Sequence, residues 1–146
     1  MRVYEVMSKA VETVKPGVAA AEASTRMRQK KIHHLVVTRG TEPVGVVSER
    51  DLGGAKLPRS LGQFTVEDLM SSPVITVTTR TLVRRAATLM KGRSVGSLIV
   101  TSANGKVAGI VTVSDLLDLL ARAPLSPSNR DKRRAKDAKD ARSWDD

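Results

Sequence analysis

The sequence predicts an α/β fold of the α+β type: two tandem β-α-β-β-α repeats packed about a pseudo-twofold axis. Three observations predict it. The chain matches itself at an offset of 63 residues, which becomes 64 after one extra residue in the turn Ala103-Asn-Gly-Lys106. Each copy places short β-branched runs around one amphipathic stretch, the mark of mixed strand and helix. A unit of about 60 residues buries too little surface to stand alone, so the copies are expected to share a core.

The match runs the length of both copies. Val3-Tyr-Glu-Val-Met-Ser8 corresponds to Val66-Glu-Asp-Leu-Met-Ser71, and Val11-Glu-Thr-Val14 to Val74-Ile-Thr-Val77. Ala23 and Met27 correspond to Ala86 and Met90, then Leu35-Val-Val-Thr38 to Leu98-Ile-Val-Thr101. After the indel, Gly45-Val-Val-Ser-Glu-Arg-Asp-Leu52 corresponds to Gly109-Ile-Val-Thr-Val-Ser-Asp-Leu116. One indel placed in a turn, with register kept on both sides, is what duplication of a folded unit produces.

Each unit opens with a short helix, near Val3–Met7 and Val66–Met70, and a short strand, Val11–Val14 and Val74–Val77. Amphipathic helices follow over about 18–30 and 81–92, with Met27 and Leu89/Met90 on the apolar stripe. Two strands come next, 34–39 with 43–48 and 97–102 with 106–112, the second pair joined by the tight-turn signal Asn104-Gly105. A closing helix is predicted near 49–53 and 113–122. The repeats are thus expected over 1–57 and 66–122, with a linker at 58–65 inside the Gly- and Pro-bearing stretch Gly53–Thr65. Pro124 and Pro127 stop the last helix, and 123–146 reads as a charged, flexible tail.

Composition narrows the function classes. The chain has 146 residues, 25 Lys or Arg against 15 Asp or Glu, and a formal charge of +10. Residues 123–146 hold seven basic and five acidic side chains, so +8 belongs to the foldable part. The core is aliphatic, since Tyr4, Phe64 and Trp144 are the only aromatic residues. Without cysteine there is no disulfide scaffold, thiolate metal site or cysteine nucleophile. No apolar run approaches the roughly 18 residues of a membrane span, and the start MRVYEVMSKA lacks an apolar signal stretch. These features lead us to expect a soluble, cytoplasmic protein.

The richest motif is Gly45-Val-Val-Ser48-Glu-Arg-Asp51 and its copy Gly109-Ile-Val-Thr112-Val-Ser-Asp115, each where a strand ends and a helix begins. Ser or Thr followed three residues later by an acid makes a helix N-terminal capping box. The same geometry suits a nucleotide. Helix N-terminal amides and the hydroxyl can receive a phosphate, and the carboxylate can accept from a ribose diol. Gly45 and Gly109 would allow close backbone approach. The two readings are compatible, and both stay open.

With this duplicated unit ending in Gly-x-x-Ser/Thr-x-x-Asp, residues 1–122 resemble a tandem pair of CBS domains, or Bateman module. Met70-Ser-Ser-Pro-Val-Ile-Thr-Val77 and His33-His-Leu-Val-Val37 add to the likeness. The resemblance implies a non-catalytic regulatory module with two clefts for adenosine-containing ligands: AMP, ADP, ATP or S-adenosylmethionine. It also implies a homodimer and a separate, unidentified regulated protein. It makes Ser48 and Thr112 phosphate or ribose contacts, and Asp51 and Asp115 ribose acceptors. His33-His34 and Gly96-Ser97 become base or phosphate contacts, and Thr13 and Thr76 lining of the adenine pocket. His33, His34 and Arg50 stand where the second half has Gly96, Ser97 and Ser114, so the first cleft is expected to favour the more anionic ligand. Where the family often has proline after the leucine of the second strand, this chain has Val36 and Ile99, an exchange expected to alter loop shape only.

Other readings are weaker. Adjacent histidines on a strand point to opposite faces, and with no further His or Cys they make no metal site. No acid/base or nucleophile pattern marks an enzyme. The basic charge invites nucleic acid, but interleaved aromatics and helix-turn-helix or zinc signatures are missing. A dimeric adaptor with empty clefts is the remaining alternative.

Overall fold

The computed structural model describes residues 1–53 and 63–122. A 3-10 turn at Val3–Glu5 leads to β1 (Thr13–Val14), α1 (Ala20–Lys30), β2 (His34–Arg39) and β3 (Glu42–Ser48). The second half follows with α2 (Val66–Leu69), β4 (Thr76–Thr78), α3 (Val83–Arg93), β5 (Ser97–Thr101), β6 (Val107–Thr112) and α4 (Val113–Arg122). The expected linker lies mostly outside the described residues, as does the whole of the expected tail.

Each half forms one three-stranded sheet, ordered β1-β2-β3 and β4-β5-β6. The outer pair is parallel and the hairpin antiparallel in both. Register repeats at the sequence offset: Thr13 lies opposite Val36 as Thr76 lies opposite Ile99. Even the ladder irregularity recurs, between Val37/Thr38 and Val100/Thr101.

The central strands are apolar on both faces because both faces are covered. Leu35 and Val37 face the core beneath α1, and Leu98 and Val100 face the core beneath α3. The intervening Val36 and Ile99 point the other way and meet Val46 and Ile110 in a third cluster joining the sheets. This corrects the expectation that Val36 and Ile99 affect only a loop. Both are fully buried at mid-strand, and they form the contact between the halves.

The sequence repeat and the packing unit do not coincide. Val3, Val6 and Met7 pack into the second half's core, whereas Val66, Leu69 and Met70 pack into the first. Ser8 pairs with Ile110, and Ser71 with Val46. Each repeat's opening segment is therefore lent to its sister.

The helix expected near 49–53 is instead a hydrogen-bonded turn. Leu52 N–H reaches Ser48 O at 3.3 Å and Gly53 N–H reaches Arg50 O at 3.0 Å. Gly53 then adopts φ +86°, the left-handed conformation that ends a helix. The counterpart α4 runs its full predicted length.

Candidate functional site

Both Gly-x-x-Ser/Thr-x-x-Asp motifs are closed capping boxes. Ser48 N–H donates to Asp51 Oδ2 at 2.8 Å, and Asp51 N–H to Ser48 Oγ at 3.1 Å. Thr112 N–H donates to Asp115 Oδ2 at 2.7 Å, and Asp115 N–H to Thr112 Oγ1 at 3.3 Å. Two otherwise orphaned amides are satisfied at each chain reversal. Oδ2 makes the cap in both halves, so the motif has a structural role before any ligand arrives.

The hydroxyl-bearing ends of the two motifs converge, whereas Asp51 and Asp115 do not line the cavity they share. One polar cavity of about 350 Å³ is lined by His33, His34, Ser48, Glu49 and Arg50 from the first half and by Gly96, Thr112, Val113 and Ser114 from the second. Convergence follows from the strand register: His34 lies opposite Ser48 and Ser97 opposite Thr112. Docking the sheets through Val36, Val46, Ile99 and Ile110 then brings these ends of the two hairpins together. A second cavity of about 240 Å³ has aliphatic walls, Val46, Val74, Ile75, Val95 and Ile99, interrupted by Ser71, Ser94 and Ser97. Gly96, an exposed residue, lines both. Their sizes suit a small molecule.

Other expected residues are placed differently. Gly45 and Gly109 make room for protein: a Cβ on Gly109 would stand 2.7 Å from Ser8 O and Met7 Sδ, and one on Gly45 would collide with Met70. Thr13 lines a separate groove with Lys15, Arg26 and Arg39. Thr76 is exposed on β4. Asp115 borders a cavity with Glu5, Asp118 and Arg122. The apolar walls Val74, Ile75 and Val95 were not among the expected contacts. Their signal, β-branched residues in or next to strand segments, was present but did not differ from that of ordinary core.

The electrostatics are local. His33 Nδ1 lies 2.7 Å from Glu49 Oε2 at an exposed position. His34 is held below its ordinary pKa of 6.5, chiefly by burial and then by neighbouring His33, although Asp115 and Asp51 pull the other way. It is neutral at pH 7. Of the three expected cations, one is therefore neutral and another is tied to a carboxylate. All three line the cavity that the second half also lines, which removes the basis for a separately more cationic first cleft.

No described helix is long and apolar enough to cross a membrane. A family model described as CBS domain matches the chain twice, at residues 3–55 and 66–122. An uncharacterised protein of Methanopyrus kandleri is 35% identical over 120 residues, covering 80% of this chain and 61% of that protein. An uncharacterised 17.7 kDa protein of Acidianus ambivalens is 34% identical over 116 residues, covering 79% and 70%. The chain spans only 24% of a matching homoserine O-acetyltransferase of Methanohalobium evestigatum, so that likeness concerns a module attached to an enzyme. Among solved structures, a CBS domain pair in complex with 5′-methylthioadenosine and S-adenosyl-L-methionine superposes with TM-score 0.69 at 25% identity, covering 83% of this chain and 96% of that one. A CBS domain protein of Pyrobaculum aerophilum complexed with AMP gives TM-score 0.64 at 26% identity, covering 84% and 100%. Two family matches, one repeat offset and one shared architecture agree: this chain belongs to the CBS domain family and carries a tandem pair.

Proposed function

We propose that the protein is a non-catalytic regulatory module that binds an adenosine-type ligand between its two halves and passes the event to a separate protein. The observation that carries this reading is the cavity to which both halves contribute, Ser48 and Arg50 from the first and Thr112 and Ser114 from the second. The base would enter between Val74, Ile75 and Ile99. Phosphates would meet the hydroxyls of Ser48, Thr112 and Ser114 and the guanidinium of Arg50. The complexes of the two structural relatives with AMP and with S-adenosylmethionine and methylthioadenosine support an adenosine-type ligand. Ligand shifts the module by binding one packing of the halves better than another. The reading treats 1–57 and 66–122 as the repeats and places the module in the cytoplasm.

The module would act as a homodimer. Val113, Leu117 and Leu120 form a stripe on α4 that is 43%, 59% and 70% exposed, an apolar face that a second copy could bury. A second reading rests on α3: Arg84, Arg85, Lys91 and Arg93 are exposed, and among the described residues no ion pair includes them. Their positive charge would suit a polyanion such as nucleic acid.

Thermal-shift screening with AMP, ADP, ATP and S-adenosylmethionine tests the main reading. At a hundredfold excess over Kd the ligand adds about 2.7 kcal/mol, a shift of several degrees. Arg50→Ala should lose much of the ATP-induced increment whatever its own melting temperature. Unchanged melting with every ligand, together with salt-sensitive retention of DNA or RNA on filters, would favour the polyanion reading.

A further inference from the structure

The turn at Val3–Glu5 and the start of α2 rest on the same backbone contacts in the two halves. Val3 N–H donates to Thr81 O and Val66 N–H to Val18 O, both at 2.8 Å. Tyr4 N–H donates to Thr79 O and Glu67 N–H to Pro16 O, both at 3.1 Å. The exposed side chains on that backbone differ. Arg2, Tyr4, Lys9, Thr79 and Arg80 line, with Met7, an open groove of about 770 Å³. At the matching positions the chain has Thr65, Glu67, Ser72, Pro16 and Gly17, and only the methionine is kept, as Met70. Three cations and a tyrosine thus stand where the sister end has no cation, and Glu67 there pairs with Arg39 at 2.5 Å.

The groove has no acid to answer its charge. Residues 69–114 contain six Lys or Arg and not one Asp or Glu. Among the described residues no ion pair includes Arg2, Lys9 or Arg80. Glu5 accepts from Arg2 N–H at 2.6 Å and lines a different cavity. The Arg2 guanidinium is anchored, Nη1 donating to Arg80 O at 2.9 Å. Tyr4 is 48% exposed, and Leu82, bridged to Arg2 through the backbone, is 46% exposed. The groove lies away from the ligand cavity: Thr79 bonds to Thr101 at the end of β5, whereas Gly96 of the cavity precedes its start.

We propose that this groove is where the regulated protein docks, through an acidic segment that also carries an apolar side chain. This rests on the regulatory reading above and supplies the chemistry of the partner. Carboxylates of the segment would provide the counter-charge for Arg2, Lys9 and Arg80, giving the contact its orientation and its speed of association. Tyr4, Met7 and Leu82 would cover the apolar side chain, and Tyr and Arg are residue types that interfaces favour. A nucleic-acid strand would find one aromatic surface to stack on, and a lipid surface does not follow a concave groove. A protein segment meets both the charge and the apolar surface. The groove is also built on the segment that crosses between repeats: Ser8, beside Lys9, pairs with Ile110 of β6, the strand that ends at Thr112 of the ligand cavity.

An array of short peptides varied independently in Glu content and in Leu and Phe content, probed with the labelled full chain, tests this. Retention should need both kinds of residue and should fall as salt rises. Giving the groove its sister's residues, Tyr4→Glu, Lys9→Ser and Arg80→Gly together, should weaken the best peptide at least about tenfold in fluorescence anisotropy. The sister end shows that this backbone accepts those residues, and circular dichroism melting checks the fold. Arg39→Ser, which removes a cation at the sister end, should stay within about twofold. No preference for acidic over basic peptides, or a triple variant that binds as wild type does, would overturn the proposal. Tighter retention of oligothymidylate or of phosphatidylserine vesicles, abolished in the triple variant, would also overturn it by making the occupant a nucleic acid or a membrane. Melting with ATP separates the readings, and the triple variant should keep any ATP-induced shift. An ATP shift without peptide binding removes the docking groove alone. Peptide binding without a shift from any adenosine ligand supports the groove and removes the nucleotide reading.

Discussion

Ser8 and Ile110, from opposite ends of the chain, exchange backbone hydrogen bonds: Ser8 N–H reaches Ile110 O at 2.9 Å, and Ile110 N–H reaches Ser8 O at 3.1 Å. The sister pair Ser71 and Val46 does the same at 2.8 and 3.1 Å. These pairs tie each opening segment to the other repeat, and the adjoining glycines make the approach possible. Gly109→Ala would press a methyl group against Ser8 O, a backbone atom that cannot move without breaking the pair. We expect it to destabilise by about 1–3 kcal/mol in urea denaturation. Gly45→Ala meets only the Met70 side chain and should cost less.

The caps should be measurable apart from any ligand. Thr112→Ala removes the acceptor for Asp115 N–H at the start of α4 and should cost about 1 kcal/mol. Ser48→Ala opens only a single turn, so it should cost less. Chemical denaturation of the ligand-free protein distinguishes the two.

His34 gives the stability a pH dependence of known sign. Its folded pKa lies below 6.5 because burial and His33 disfavour the charged form. Above pH 6.5 it is neutral folded or unfolded, and its contribution is fully present. As pH falls from 6.5 toward the folded pKa, the unfolded chain binds a proton that the native state does not, so stability drops. The loss levels off once the folded histidine is itself protonated. His34→Gln should flatten this part of the profile, as followed by melting temperature against pH.

Lys31 and Ser94 end α1 and α3 in the left-handed region, at φ 54° and 53°. Ile32 N–H and Val95 N–H each close the helix on a methionine carbonyl at 3.0 Å, on Met27 and Met90. Glycine takes this conformation without a Cβ penalty, which for other residues is roughly 1–2 kcal/mol. Lys31→Gly, remote from the second cavity that Ser94 lines, should therefore raise stability by up to about 1 kcal/mol, the unfolded-state entropy of glycine offsetting part of the gain.

Leu120 is the most exposed large apolar residue on α4. If a second copy covers the stripe, Leu120→Lys should shift the protein from dimer to monomer in analytical ultracentrifugation. A wild type that is monomeric at high micromolar concentration would remove the dimer from the proposed function.

By itself the sequence determined what depends on neighbours along the chain. The capping boxes join residues three apart, Ser48 with Asp51 and Thr112 with Asp115, and both formed as read. Asn104-Gly105 made its turn with Gly105 at φ +79°. The duplication made two like sheets with like register legible, because strand alternation is a local pattern. Thr13 and Thr76 were placed correctly on their strands, but a strand position does not say which cavity the residue borders.

Tertiary structure decided the contacts between symmetry-related choices. Val3 and Val66 are equivalent in the repeat, so the pattern serves equally well for packing each on its own half or on the other. The exchanged packing is the one adopted, and in it Gly45 and Gly109 leave room for Met70 and Met7. For the same reason expected site residues of both halves came to line one shared cavity. His33, Ser48 and Arg50 meet Gly96, Thr112 and Ser114 only when Val36 and Ile99 dock the sheets. Contacts between residues some sixty positions apart are set by that docking, and nothing in the neighbourhood of either residue encodes them.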